Sequence, residues 1–259
     1  MNSYLPQTAS VSEDFQKRAC SYEAQSRWIT SDSINIIPYH YLSRRPTMGE
    51  TLDAGGGTGY LSSFLLKKIP ASSLTIVDAS ENMLAIAKSR IPGANLINTS
   101  IESFCLENDL KFDTILARQI FHYVNDIEVV LNLLREKLSS NGLFYVGQFV
   151  VCDNDSDKWH KNLIQKISKN RKRSFTFDGF QKAFKSNGFR IIECCTEDYE
   201  ENIKDFYTRR TNEELEYNNF YKSVKNSLNE NITEKMHIKV MDNNIFFTVQ
   251  FCHLLLERR

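Results

Sequence analysis

The sequence offers little to staple or punctuate it. Six cysteines are scattered at 20, 105, 152, 194, 195 and 252, with no C-x-x-C and no histidine at metal-ligand spacing. Neither a zinc site nor a disulfide framework is expected, and free thiols in a reducing compartment fit better. No sign of charge prevails: 32 Lys+Arg balance 32 Asp+Glu, with a pI of about 7.0. That balance argues against a chain that coats nucleic acid or an anionic membrane, because phosphate binding needs a surplus of cations. The most apolar run, FFTVQFCHLLL at 246–256, is interrupted by Gln250 and His253 and falls well short of the roughly 20 residues a membrane span needs. The start, MNSYLPQTASVSEDF, has neither the charged nor the apolar region of a secretory leader, so a cytoplasmic chain is expected. What is present is an ordinary globular composition, 41% hydrophobic and 25% charged over 259 residues, enough for one large core.

Residues 1–45 are polar and aromatic, with Phe15, Ala19 and Tyr22 at helical spacing and Pro38 and Pro46 closing them; they predict an N-terminal helical lid. From 46 the pattern alternates. GETLDA, SLTIVD, ANLINT, FDTILA and LFYVGQFV predict strands, and GYLSSFLLKKI, SENMLAIAKSR and NDIEVVLNLLREKL predict helices between them. Gly142 stands where a left-handed residue would stop the last of these helices. FDGFQKAFKSNGF predicts a further helix ending at Gly188, and RIIECC and IFFTVQFCHLLLE supply two more strands. Helices between strands force crossover connections, so the expected class is α/β: a doubly wound, mostly parallel sheet of seven strands. The polar stretch 200–243 is too long for a hairpin loop and is expected to form a helical cap inserted between the last two strands of a 46–259 core.

Charge is balanced overall yet segregated locally. Residues 161–185 carry eight Lys/Arg against Asp178, whereas 193–216 carry nine Asp/Glu against Lys204, Arg209 and Arg210. These are solvated faces that pair with one another, a basic rim for an anionic substrate or a phosphopantetheine carrier, or an RNA-binding patch, and the readings stay open.

The densest chemical signal is LDAGGGTGYL, 52–61. A strand ends at Asp53, and Gly55, Gly56, Gly57 and Gly59 crowd the turn into a helix, where glycine lets the backbone come against a ligand at a helix start. That place, at the carboxyl end of a first strand, is where open α/β sheets bind nucleotides. A dinucleotide fingerprint would need Gly at 60 or 62, where Tyr60 and Ser62 stand, and no Gly-Lys-Ser/Thr is present for a phosphate loop. Asp78 ends the second strand 19 residues after Gly59, at the distance where a carboxylate can accept both hydroxyls of a ribose. Ser80 is placed to cap the next helix.

The pattern Asp53-x-Gly55-x-Gly57-x-Gly59 resembles motif I of the class I S-adenosylmethionine-dependent methyltransferases. Asp78, Ser80, Met83 and Leu84 resemble the family's D-x-S-x-x-M-L, and Phe15, Ala19, Tyr22 and Glu23 resemble the entry helix of its quinone-biosynthesis and biotin-pathway members. The likeness runs over 13–150 and more loosely over 175–195. It implies a Rossmann-like methyltransferase sheet, S-adenosylmethionine as cofactor and S-adenosylhomocysteine as its product. It also implies cofactor contacts at Tyr22, Arg27, Asp53, Gly55, Gly57, Gly59, Asp78, Ala79, Met83, Ser100, Ile101 and Arg118. In this reading Ser100 takes the place of the acid that meets the adenine amino group, Tyr22 covers the methionine, and Arg27 or Arg118 meets the cofactor carboxylate.

The implied chemistry is in-line displacement at an activated methyl, so the protein mainly aligns a nucleophile, with a base needed only for a protonated one. His122 is the candidate base, and Gln119, Tyr123 and His160 are candidate substrate contacts. The expected acceptor is O, N or C of a small, aromatic or polyketide-like metabolite, with no nucleic-acid partner and no membrane insertion, in a monomer or homodimer. A carboxyl methyltransferase acting on a carrier-bound acyl chain, and a cofactor-binding module without turnover, are the alternatives.

Overall fold

The computed structural model describes residues 9–167, 170–208 and 216–259. Lys169, Arg209, Arg210, Glu213 and Glu214, which belong to the basic and acidic stretches noted above, lie outside them. The chain opens with α1 (Ala9–Arg18), α2 (Tyr22–Gln25) and α3 (Asp32–Leu42). Alternation follows: β1 (Glu50–Ala54), α4 (Tyr60–Leu66), β2 (Ser73–Asp78), α5 (Glu81–Arg90), β3 (Asn95–Asn98), α6 (Ile101–Glu107) and β4 (Phe112–Arg118). Next come α7 (Ile127–Lys137), β5 (Leu138–Val150), α8 (Asn154–Ile167), α9 (Phe177–Ser186) and β6 (Phe189–Asn202). The chain closes with α10 (Ile203–Thr208), α11 (Tyr217–Lys225), α12 (Glu230–Lys235), β7 (Lys239–Met241) and β8 (Asn244–Arg258). Strand order is β3-β2-β1-β4-β5-β8-β6, with the short β7 paired to β8. This is the mixed α/β, Rossmann-like sheet the alternation predicts, with β7 as an eighth strand.

The chain divides into two compact units. Unit 1 comprises Met1–Gln148, Gln181–Cys195 and His253–Arg259; unit 2 comprises Phe149–Phe180 and Thr196–Cys252. In unit 1, β1 pairs in parallel with β2 and β4, β2 with β3, and β4 with β5. Leu52, Ala54, Ile76, Val77, Ile115, Leu116 and Ala117 are wholly buried, because helices on both faces leave a central parallel strand no solvent side. Three helix starts are capped by side chains. Ser80 accepts from Met83 N, Ser100 from Ser103 N, and Asp126 from Glu128 N and Val129 N, each satisfying amides that the first turn leaves open.

Two expectations about breakers need correction. Pro38 does not end a helix but sits inside α3. Gly142 does not terminate α7: that helix stops at Lys137, and Leu138 turns extended and enters β5 opposite Phe112. Gly142 lies within the strand, where an added Cβ would meet Leu138 Cδ1 at 2.6 Å, so close approach explains the glycine. Gly188, by contrast, follows α9 with φ +79°, the left-handed stop expected of it.

Unit 2 is built on a second set of rings. Trp159 of α8 meets Phe247 edge-on at 5.6 Å, and Phe149 meets Phe251 at 5.0 Å. The polar 200–243 stretch is helical in α10, α11 and α12, and its ends join strands. Asp242 and Asn243 at φ 51° and 55° turn β7 into β8, the two-residue hairpin geometry that these residue types favour.

Candidate active site

A cavity opens in unit 1, at the carboxyl ends of β1, β2 and β4. The glycine loop forms its floor. Gly55 and Gly57 have φ of +67° and +55°, a region open to glycine at little cost. The Asp78 carboxylate fixes the loop from β2: its Oδ2 accepts from Gly57 N at 2.9 Å and its Oδ1 from Ser80 N at 2.9 Å. Burial pushes the Asp78 pKa up to about 6 against the pull of those two amides, with the Asp53 charge adding to the rise. Asp53 also rises to about 6 through burial, although Ser62 donates to its Oδ2 at 2.5 Å and Arg118 lies near.

Apolar walls flank the carboxylate. Ala79, Met83 and Ile101 line the cavity beside Asp78, with Met83 and Ile101 buried. Ser100 also lines it, but its hydroxyl is engaged at the start of α6, accepting from Ser103 N and lying 3.1 Å from Ser103 Oγ. At the other end stand Tyr22, Arg118, Gln119 and Tyr123. Arg118 lies over the Trp28 ring, 5.0 Å from its centroid, and donates to Asn35 Oδ1 at 2.8 Å. Withdrawal from water pulls its pKa down, and it forms no ion pair among the described residues.

Not every expected residue reaches the cavity. Gly59 is a packing residue at φ +69°, its Cα face against Ala87 and Ile76. Arg27 is exposed on a short 3-10 turn, which sends its apolar neighbours Trp28 and Ile29 inward to line the cavity instead. His122 is buried and does not line it; its Nδ1 lies 3.1 Å from Gln148 Nε2. His160 belongs to unit 2, buried against Phe247, and burial with the nearby Arg171 holds its pKa down at about 3.

Residues not among the expected cofactor and substrate contacts complete the walls. Val11, Ser12 and Phe15 come from α1, and Thr58, Tyr60 and Thr99 from loops and helix starts. Helical periodicity in 9–18 was a usable signal for Val11 and Phe15; Thr99 and Ile120 had none. The α1–α2 segment is tied to the cavity rim. Ser12 Oγ donates to Ala79 O at 2.7 Å, Asn82 N donates to Gln16 Oε1 at 3.0 Å, and the Glu23 carboxylate takes Arg90 in a fork at 2.7 and 3.0 Å.

The donor set fits S-adenosylmethionine. A carboxylate lies between the glycine turn and an apolar slot, and the Arg118 guanidinium lines the same cavity. The fold, the loop and this carboxylate are similar to those of class I S-adenosylmethionine-dependent methyltransferases. Residues 52–144 match the family described as a methyltransferase domain. Among curated relatives, a malonyl-[acyl-carrier protein] O-methyltransferase of Acetivibrio thermocellus is 25% identical over 135 residues, 52% of this chain and 47% of that protein. The chain spans about half the length of the curated relatives it matches. The solved YcgJ protein of Bacillus subtilis superposes with a TM-score of 0.73 at 16% identity, covering 87% of this chain and 98% of that one. A DhpI–SAH complex superposes at 0.52 with 15% identity, covering 92% and 93%. Among the described residues no helix is long and apolar enough to cross a membrane, and no cluster of side chains could hold a metal.

Proposed function

We propose that the chain binds S-adenosylmethionine in the unit 1 cavity and transfers its methyl group to a small-molecule acceptor. The observation that carries this reading is the Asp78 carboxylate, anchored by Gly57 N and Ser80 N at 2.9 Å each. Both oxygens are held in place by backbone amides, so the carboxylate is oriented before any ribose arrives. Met83, Ala79 and Ile101 would sandwich the adenine. Asp78 would accept the ribose hydroxyls, and Arg118 would meet the cofactor carboxylate. Bound S-adenosylmethionine supplies an already activated methyl on a sulfonium, so the chain's own work is alignment and exclusion of water. Phe15, Tyr22 and Tyr123 do the excluding: Phe15 packs edge-on to the other two at 5.7 and 5.3 Å. His122, set behind Gln148, is given a positioning role.

A second reading narrows the acceptor to the carboxyl group of a carrier-bound acyl chain. The relatives named for malonyl-[acyl-carrier protein] O-methylation favour it. Methyl-labelled cofactor incubated with the protein and candidate acceptors tests both. Release of S-adenosylhomocysteine with label in an acceptor is the expected result. Absence of S-adenosylhomocysteine binding by calorimetry would end both.

A further inference from the structure

Gln119 stands out in the cavity wall. It follows β4 directly and holds φ +59° without being glycine, a strained conformation that tends to persist where function requires it. It is 8% exposed. Gln148 Nε2, from β5, donates to Gln119 Oε1 at 3.1 Å and also lies 3.1 Å from His122 Nδ1. Oε1 faces Gln148, and Nε2 is the other end of the amide. Gln119 Nε2 is buried with no hydrogen-bond partner, in a residue that lines the cavity beside Arg118. A buried amide donor left unmet is costly, and the strained backbone and the Gln148 contact hold it there.

We infer that Gln119 reads the acceptor, donating from Nε2 to one oxygen of a substrate carboxylate while the other oxygen faces the methyl group. The inference rests on the proposed methyl transfer and specifies its acceptor. Among the described residues no histidine or lysine lines the cavity, and a carboxylate suits that wall because it is ionised at neutral pH without a base. In the step, a lone pair of the free carboxylate oxygen forms the bond to the methyl carbon. The carbon–sulfur bond breaks, and its electron pair stays on sulfur. A methyl ester and neutral S-adenosylhomocysteine result, and no proton moves. Gln148 acts as a positioning residue, since it holds Gln119 Oε1 and so orients the amide.

The test measures binding of malonyl-loaded and acetyl-loaded acyl carrier protein to the S-adenosylhomocysteine-saturated protein, by calorimetry, together with methyl transfer to the malonyl form. Gln119→Met removes the donor at constant length. Gln119→Asn, which tolerates the left-handed backbone, withdraws the donor and guards against a folding failure. Both are expected to weaken malonyl-carrier binding about tenfold or more, to leave acetyl-carrier binding unchanged, and to keep S-adenosylhomocysteine affinity within about threefold of the parent. Equal loss of S-adenosylhomocysteine affinity would assign the donor to the cofactor and overturn the inference. Unchanged malonyl-carrier binding in both variants would overturn it too, as would a parent protein that binds S-adenosylhomocysteine but does not prefer the malonyl form. A parent that fails to bind S-adenosylhomocysteine sinks the proposed function instead.

Discussion

Asp78 shows how one side chain can serve structure and ligand together. Its two backbone contacts shape the glycine turn, and the same carboxylate is the acceptor proposed for the ribose. Removing it in Asp78→Ala is expected to weaken S-adenosylhomocysteine by about 1–3 kcal/mol, the cost of unpairing hydroxyls from a charged acceptor; an unchanged calorimetric affinity would contradict the ribose assignment. Acidity adds a second test. With its pKa raised to about 6, Asp78 is charged above that pH and takes up a proton below it. Affinity should therefore fall as pH drops through 6, by at most about tenfold per pH unit for one proton. Asp78→Asn should flatten that part of the profile, leaving only what Asp53 contributes. Asp53, Gly55, Gly57 and Asp78 could be read from the sequence because glycine at positive φ and an acid at a strand end leave local traces. Arg27 could not be placed, because its direction is decided by the burial of Trp28 and Ile29 beside it. Ser100 appeared free for adenine because the sequence does not show that its hydroxyl closes the first turn of α6.

At the scale of elements, α1 and α2 wall the cavity and are fastened to it by few polar contacts. The strongest is Glu23. Its carboxylate accepts both Arg90 guanidinium nitrogens and, at 2.6 Å, the Thr58 hydroxyl, while Arg90 also donates to Thr58 O at 2.8 Å. Thr58 lies within the glycine loop, so the fork links α2, α5 and the ligand turn. The pair is about a quarter exposed, and a charge-assisted contact of that kind contributes about 1–2 kcal/mol. Glu23→Gln is expected to raise the dissociation rate of S-adenosylhomocysteine about tenfold in stopped-flow measurements, with the unfolding temperature little changed. No change in that rate would mean the segment does not have to open for ligand exit. The helices and strands of 50–137 were legible because their apolar periods switch cleanly between two and 3.6. The boundary at 138–142 was not: Gly142 looks like a helix stop, yet Leu138 pairs with Phe112 and draws the chain into β5 four residues earlier.

For the whole molecule, buried titratable groups divide unequally between the two units. In unit 2 burial holds His160 down at about 3, below its ordinary 6.5. A depressed histidine favours the native state above its unfolded pKa, and that stabilisation is lost as pH falls from 6.5 toward 3, by about 1.4 kcal/mol per pH unit. Unit 1 holds His253, also lowered to about 3 and hydrogen-bonded through Nδ1 to Tyr145 Oη at 2.9 Å. It also holds Asp53 and Asp78, both raised to about 6. Raised carboxyls have the opposite sign: the native state binds their protons more tightly, so unit 1 gains stability from them as pH falls from 6 to 3.8. Mild acid should therefore weaken unit 2 while leaving unit 1 nearly level. The two tryptophans of the chain report on this separately, Trp28 in unit 1 and Trp159 in unit 2. Followed by fluorescence in Trp28→Phe and Trp159→Phe variants, denaturant midpoints close together at pH 7 should separate at pH 5, with the Trp159 signal lost first. His160→Phe should remove much of the separation by deleting the group that must take up a proton. Coincident midpoints at pH 5 would show that the two units unfold as one and that their opposing titrations cancel.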